Sequence, residues 1–365
     1  MNFSRIKEWS PFASRPFLIS GPCSAETEEQ MRTTCAQLAA TGKVNVLRAG
    51  IWKPRTRPNA FEGVGEEALT WLKQAGIANN LPVATEVANG QHVEACLKAG
   101  VDILWIGART TVNPFSVQEV ADALKGVDIP VLVKNPVNPD LQLWIGALER
   151  IHQAGITKLG AIHRGFSSFQ KTAYRNVPKW EIPIELKATF PEIDIICDPS
   201  HIAGNRALLA KVAQKAMDLE MTGLMIESHI NPDEAWSDAK QQITPDTLSK
   251  LIHELTIRNT ESSSPSIGNE LAKLRSMIDE FDETLIHTLT NRMELSEKIG
   301  EYKLENQLTI LQIKRWEEIK RTRLAQAKLE GLNDEFIQGL LQLIHKESIR
   351  KQTDVMNKSL QIESK

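Results

Sequence analysis

The chain predicts a (β/α)8 TIM barrel followed by a small all-α, dimer-forming helical domain. Three observations carry that fold class. Eight short apolar runs in the first 230 residues each end in a residue suited to a phosphate, a carboxylate or a metal. Amphipathic segments of helical period separate them. Near residue 260 a polar break gives way to a long stretch with almost no Gly or Pro.

The runs read as strands buried on both faces. FLIS leads into Gly-Pro-Cys23, VNVLRAG into Lys53-Pro-Arg55-Thr56, and PVATEV carries Glu86. ILWIGA ends at Arg109, and PVLVKNP holds Lys134. KLGAI runs into His163-Arg164-Gly165, IDIICDPSH into Asp198 and His201, and GLMIESH into Glu227. In a barrel of this kind the chemistry sits on the loops after the strands' C-terminal ends.

Between the strands, helices are expected over Glu28 to Ala40, Glu66 to Asn79, Gln91 to Ala99, Val117 to Leu124, Leu141 to Gln153 and Arg206 to Asp218. Glycine follows two of them, at Ala99-Gly100 and Ala154-Gly155, the usual stop before a new strand. Strand–helix alternation implies a parallel sheet, and eight units close it. A doubly wound open sheet is the alternative, and it would gather its site at one switch point.

A length of 365 residues allows two domains and a substantial core. A formal net charge of -3 gives no reason to expect nucleic acid or a membrane surface as partner. There is no apolar stretch of membrane-spanning length, and MNFSRIKEWSPF lacks the apolar core of a signal peptide. Cys23, Cys35, Cys96 and Cys197 are too scattered for a disulfide framework, so a reducing, cytoplasmic setting is expected.

The segment 260–268, Thr-Glu-Ser-Ser-Ser-Pro-Ser-Ile-Gly, reads as a linker between a barrel domain at 1–259 and a helical domain at 269–365. Leu271, Leu274, Ile278, Phe281, Leu285, Leu289, Leu295, Ile299 and Tyr302 then trace one stripe. A helix of about 35 residues, about 50 Å long, is too long for so small a domain to cover, so a partner chain is expected. A second helix is expected from about Gln312 to Leu329. A third starts at the natural cap Asn333-Asp334 and runs to about Met356.

Two constellations follow. Cys23, His201, Glu227 and Asp238 offer a thiolate, an imidazole and two carboxylates from loops 1, 7 and 8. That set suits a divalent metal ion of the Mn, Fe, Co or Zn class. Lys53, Arg55, Arg109, Lys134 and Arg164 would point into one cleft, which calls for polyanionic substrates. Arginine provides bidentate contacts to phosphate or carboxylate, and lysine a point charge or a proton.

GPCSAE, KPRT, ATEV, IGAR, KNP, HRG, DPSH and the Glu227 to Asp238 segment closely resemble type Iβ 3-deoxy-D-arabino-heptulosonate 7-phosphate (DAHP) synthases over about residues 12–258. The resemblance implies condensation of phosphoenolpyruvate with erythrose 4-phosphate. It implies Cys23, His201, Glu227 and Asp238 as metal ligands, and Arg109, Lys134 and Arg164 on phosphoenolpyruvate with Asp198 beside them. Lys53 would lie close to both substrates and donate a proton to the forming alkoxide. Arg55 and Thr56 would take erythrose 4-phosphate. The metal would act as a Lewis acid on the aldehyde or activate water. The related 3-deoxy-D-manno-octulosonate 8-phosphate synthases remain the rival, disfavoured by KPRT.

The tail resembles the all-helical chorismate mutases, through LAKLRSMIDEFDETLIHTLTNRMELSEKIGEYKLEN and LLQLIHKESIRKQ. That resemblance implies a chorismate-to-prephenate site of Arg275, Arg292, Lys303, Arg315, Ser348 and Gln352, with Arg292, Lys303 and Gln352 catalytic. Arg292 and Lys303 are eleven residues apart and share a face. Arg275 lies 17 residues before Arg292, roughly 25 Å along the axis, so it would serve the partner's site in an antiparallel dimer. Gln312 and Trp316 replace the usual acidic residues of the second helix. A mainly regulatory tail that senses chorismate or prephenate is the alternative, and feedback on the barrel is expected in either case.

Overall fold

The computed structural model describes residues 1–10, 15–53, 61–169, 172–258 and 265–362. The chain divides into two compact units, Met1–Thr260 and Glu261–Lys365. Among the described residues no helix is long and apolar enough to cross a membrane.

The first unit is a closed barrel of eight parallel strands in chain order. They are β1 (Phe17–Gly21), β2 (Val46–Arg48), β3 (Val83–Val87), β4 (Ile103–Ile106), β5 (Val131–Lys134), β6 (Leu159–His163), β7 (Ile195–Cys197) and β8 (Gly223–Glu227). β1 closes on β8 from Phe17 opposite Gly223 to Gly21 opposite Glu227.

Side chains alternate strictly, as the period-two geometry of a strand requires. Phe17, Ile19, Val46, Ala84, Ile103, Trp105, Leu132, Ile162, Ile196 and Met225 fill the barrel interior. Leu18, Leu47, Val83, Leu104, Val131, Val133, Leu159, Ala161, Ile195 and Leu224 face the helices. Continuing the inward series to each strand's C-terminal end brings up Arg48, Glu86, Lys134, Asp198 and Glu227. The apolar interior thus turns into a charged mouth at one end. At the other end a short helix, Ile6–Trp9, packs Ile6 and Trp9 against the interior residues, and the Ile6 amide donates to Asp194 Oδ2 at 2.6 Å.

The expected helices are present, with instructive differences at their starts. The segment expected from Val117 begins at Pro114, because Asn113 caps it and proline suits the first turn. The segment from Arg206 opens as a 3-10 turn, Arg206–Leu208, before the α-helix Leu209–Asp218. A further helix, Glu181–Thr189, has Pro183 in its first turn, where the missing N–H costs little.

The second unit has three helices, Pro265–Glu305, Ile313–Leu329 and Asp334–Ile362. The first is 41 residues long, or about 60 Å. It starts inside the segment read as linker, where Pro265 at the first helical position is pre-organised for the turn; residues 260–264 of that segment lie outside the described residues. First and third helices approach closely at Gly300, where an added Cβ would stand 3.0 Å from Gln352 Cα. Along the stripe, Leu274 is 49 %, Ile278 57 % and Phe281 70 % exposed, so most of the apolar face has no cover within the unit.

Candidate functional site

Trp105 and the five charged inward residues at the barrel mouth form the floor and walls of one site. Trp105 is the floor: Arg48 Cζ lies 4.9 Å and Lys134 Nζ 5.6 Å from its ring centroid, and its indole N–H donates to Glu86 Oε2 at 2.8 Å. Cations over an indole face gain from its negative quadrupole, most of all where water is scarce. Glu86 reaches this position only because residue 107 is glycine, since a Cβ there would stand 2.2 Å from Glu86 Oε1.

Cys23, Glu227 and Asp238 converge, their ligand atoms all within 4.8 Å of one another. His201 approaches from one side, with Nε2 3.9 Å from Glu227 Oε1 and Nδ1 2.8 Å from Asp198 Oδ2. A thiolate, an imidazole and two carboxylates gathered this way fit a divalent transition ion, and the carboxylate on Nδ1 is the outer partner a metal-binding histidine generally has.

The loops that deliver these groups are fastened to each other. Ser24 and Ser237 hydroxyls lie 2.6 Å apart, and the Cys23 amide donates to Gln242 Oε1 at 2.9 Å. Glu26 accepts from the Trp236 amide at 2.8 Å and contacts His229 at 3.3 Å. Asp238 itself sits at φ 50°, a left-handed conformation that aspartate tolerates better than most residues.

Three of the carboxylates are each matched by a cation. Arg48 pairs with Glu227 at 2.9 Å, Lys134 with Asp198 at 2.9 Å, and Arg175 with Asp238 at 3.0 Å and Gln241 at 2.7 Å. Gln241 in turn donates to Glu227 Oε2 at 2.7 Å. Burial alone would raise Glu227, but His201, Arg48 and Lys53 outweigh it and bring the carboxyl down to about 2. The same contest ends with Asp238 lowered by Arg175, His201 and Lys53, and with Asp198 held well below the carboxylate range by His201 and Lys134. Cys23 goes the other way: burial, then Glu227, push its thiol up to about 12, against the pull of Lys53 2.6 Å from the sulfur. Burial, with Arg175 and Arg109 nearby, lowers Arg164 to about 10 against Asp198. Arg48 Nε is buried without a hydrogen-bond partner among the described residues, a donor left for a ligand.

The structure therefore brings Cys23, Lys53, Lys134, Arg164, Asp198, His201, Glu227 and Asp238 to one end of the barrel. Arg109, more exposed, lies on the short helix Ala108–Thr111 within electrostatic reach of Arg164. Arg55 and Thr56 lie outside the described residues. Arg48 and Arg175 were missed. Arg48 could have been found as a charge at an inward position of an apolar strand. Arg175 follows β6 in a loop without periodicity and gives no such signal.

In the helical unit a second polar cluster is buried. Arg292 Nη1 donates to Ser348 Oγ at 2.5 Å, and Lys303 Nζ to Gln352 Oε1 at 3.0 Å and Ile310 O at 2.7 Å. Burial lowers both cations, Arg292 being half-buried and Lys303 buried. Arg315 is not brought to the cluster: it is exposed and pairs with Glu318 at 2.6 Å. Arg275 is exposed on the first helix, far along it from Arg292. Trp316, from the second helix, stacks flat on His345 of the third, with centroids 4.0 Å apart and planes 5° apart.

A family model described as the DAHP synthetase I family matches residues 13–261, and one described as chorismate mutase type II matches residues 274–353. A phospho-2-dehydro-3-deoxyheptonate aldolase of Thermotoga maritima is 32 % identical over 238 residues, covering 65 % of this chain and 68 % of its own. A 2-dehydro-3-deoxyphosphooctonate aldolase of Dechloromonas aromatica is 26 % identical over 260 residues, covering 66 % of this chain and 89 % of its own. The crystal structure of a Thermotoga maritima DAHP synthase matches at 31 % identity with a TM-score of 0.59, over 65 % of this chain and 67 % of that one.

Proposed function

Because the chain belongs to the DAHP synthetase I family and carries a chorismate mutase type II domain, it is a bifunctional shikimate-pathway enzyme, and we propose how its residues divide the two reactions. The observation that carries the barrel assignment is the ring of inward cations beside the Cys23–Glu227–Asp238 cluster.

Arg48, Lys134 and Arg164 hold the phosphate and carboxylate of phosphoenolpyruvate, with Arg109 at the rim. Fixed donors in a dry site stabilise charge without reorganising at the moment of reaction. Arg55 and Thr56 take the phosphate of erythrose 4-phosphate. Cys23, His201, Glu227 and Asp238 would hold a divalent transition ion, which would supply Lewis acidity at the aldehyde. As C3 of phosphoenolpyruvate bonds to the aldehyde carbon, Lys53 delivers a proton from Nζ to the new hydroxyl. Water then adds at C2, and phosphate departs. Asp198 positions two of these groups at once, through Lys134 Nζ and the His201 ring.

In the helical unit Arg292 binds one carboxylate of chorismate, and Arg275 of a second copy binds the other. Ser348 supports Arg292, and Lys303 with Gln352 stabilises charge developing on the ether oxygen. A homodimer follows from the uncovered apolar stripe and from a groove of about 640 Å³ lined by Ile286, Leu289, Met293, Leu340, Leu343 and Ile344. The four free, buried cysteines support a reducing, cytoplasmic setting.

Prephenate, and less strongly chorismate, lowers the synthase rate by occupying the helical unit, the two units dividing at Thr260 and Glu261. The experiment that tests the assignment supplies phosphoenolpyruvate with erythrose 4-phosphate or with arabinose 5-phosphate. Turnover of the four-carbon sugar alone is expected; preference for the pentose would make the barrel an octulosonate synthase.

A further inference from the structure

Positions 345, 348 and 352 lie three and seven residues apart on the third helix of the helical unit and share one face. Ser348 and Gln352 on that face meet Arg292 and Lys303 at 2.5 and 3.0 Å. His345 precedes them by one turn, half-buried, with its ring flat against Trp316. Lys320, one turn further along the second helix, has Nζ 5.6 Å from the same indole centroid. All three helices therefore contribute to this side of the cluster. Burial first, then Arg292 and Lys303, lower the imidazole from its usual value, which favours the neutral form at neutral pH. A neutral imidazole offers one donor and one acceptor.

We infer that His345, oriented by its stack on Trp316, contacts the secondary hydroxyl of the mutase substrate and makes the site selective for it. This rests on reading the helical unit as a chorismate mutase. Chorismate presents two carboxylates, an ether oxygen and a hydroxyl. The arginines match the carboxylates, and Lys303 with Gln352 matches the ether. The hydroxyl's own proton needs an acceptor, which the bare nitrogen of a neutral imidazole offers and which neither arginine nor lysine can. The nearby acid on the second helix, Glu318, is drawn to Arg315 at 2.6 Å. Parallel stacking leaves the imidazole edge, where both nitrogens lie, available to a ligand, while the indole fixes the direction of that edge.

The test compares kcat/KM of the full-length protein for chorismate and for its analogue with the hydroxyl replaced by hydrogen. One net hydrogen bond corresponds to about a tenfold preference for chorismate. His345→Leu should lose about that factor on chorismate and little on the deoxy compound, bringing the ratio of the two close to one. His345→Asn, which keeps a donor and an acceptor, should restore part of the preference, and Trp316→Ala should lower it by loosening the ring. An unchanged ratio in folded His345→Leu, with both substrates slowed alike, overturns the contact in favour of a packing role. Should His345→Leu fail to fold, an unchanged ratio in Trp316→Ala and in His345→Phe would overturn it instead. Absence of any chorismate turnover in the unaltered protein would sink the mutase reading itself, a separate result.

Discussion

Arg48 on β2 and Glu227 on β8, the two strands that flank β1, meet through Nη1 and Oε1 at 2.9 Å with side chains only 3 % and 1 % exposed. Neither charge can stay in so dry a place alone. Removing one partner from such a pair costs about 3–5 kcal/mol, whereas replacing both by apolar groups is often neutral. Arg48→Leu should therefore be strongly destabilised in denaturant unfolding, and Arg48→Leu/Glu227→Leu should recover much of the loss. A single variant within about 1 kcal/mol of the parent would show that the pair is not structural.

The same pair fixes a pH dependence. Glu227 is at about 2 in the folded protein, below an unfolded carboxyl near 4.3. A depressed folded value stabilises above the unfolded one, and that stability is lost as pH falls from about 4.3 through about 2. In metal-free protein the unfolding free energy should fall across this window, and Arg48→Leu should show a weaker slope there. An identical slope in both proteins would remove Arg48 as a cause.

Metal binding should release protons, because the Cys23 thiol stands at about 12 without an ion and ligates as thiolate. Apparent affinity should rise with pH through neutrality, and titration calorimetry in buffers of different ionisation enthalpy should count the proton. EDTA should abolish condensation, and Cys23→Ala should resist rescue by Mn²⁺. Full activity of the stripped enzyme would end the metal assignment.

The mutase site is expected to be shared between two chains. Arg292→Ala and Arg275→Ala, each losing a charge-assisted contact worth about 1.5–3 kcal/mol, should both be nearly inactive on chorismate. Refolded together they should regain activity, since one hybrid site is intact. Lack of recovery would argue for a site built within one chain.

Much of this was legible in the sequence, for a physical reason. A barrel strand buried on both faces has no cause to end in a charge unless the mouth uses it, so Glu86, Lys134, Asp198 and Glu227 stood out against apolar runs. Arg48 obeys the same logic but hides before Ala-Gly, where it reads as the start of a loop. Arg175 is placed by a long connection whose path only the folded chain defines. His345 lies on an amphipathic helix whose period shows that one face is buried but not which polar residue stacks on which ring. The start at Pro265 escaped because a Ser/Pro-rich segment and a proline-initiated helix share the same letters.

Feedback separates inhibition through the tail from competition at the barrel. Prephenate should slow condensation by the full-length protein and leave a chain ending at Arg258 unaffected. Equal inhibition of both would mean that prephenate competes at the barrel.

The most direct measurement of the central claim is a pair of assays on one set of proteins: condensation of phosphoenolpyruvate with erythrose 4-phosphate, and conversion of chorismate to prephenate. The unaltered chain should perform both. Lys134→Met should lose the first and keep the second, and Arg292→Ala should do the reverse. Loss of both activities in either variant, or loss of neither, would contradict two separate active sites on this chain.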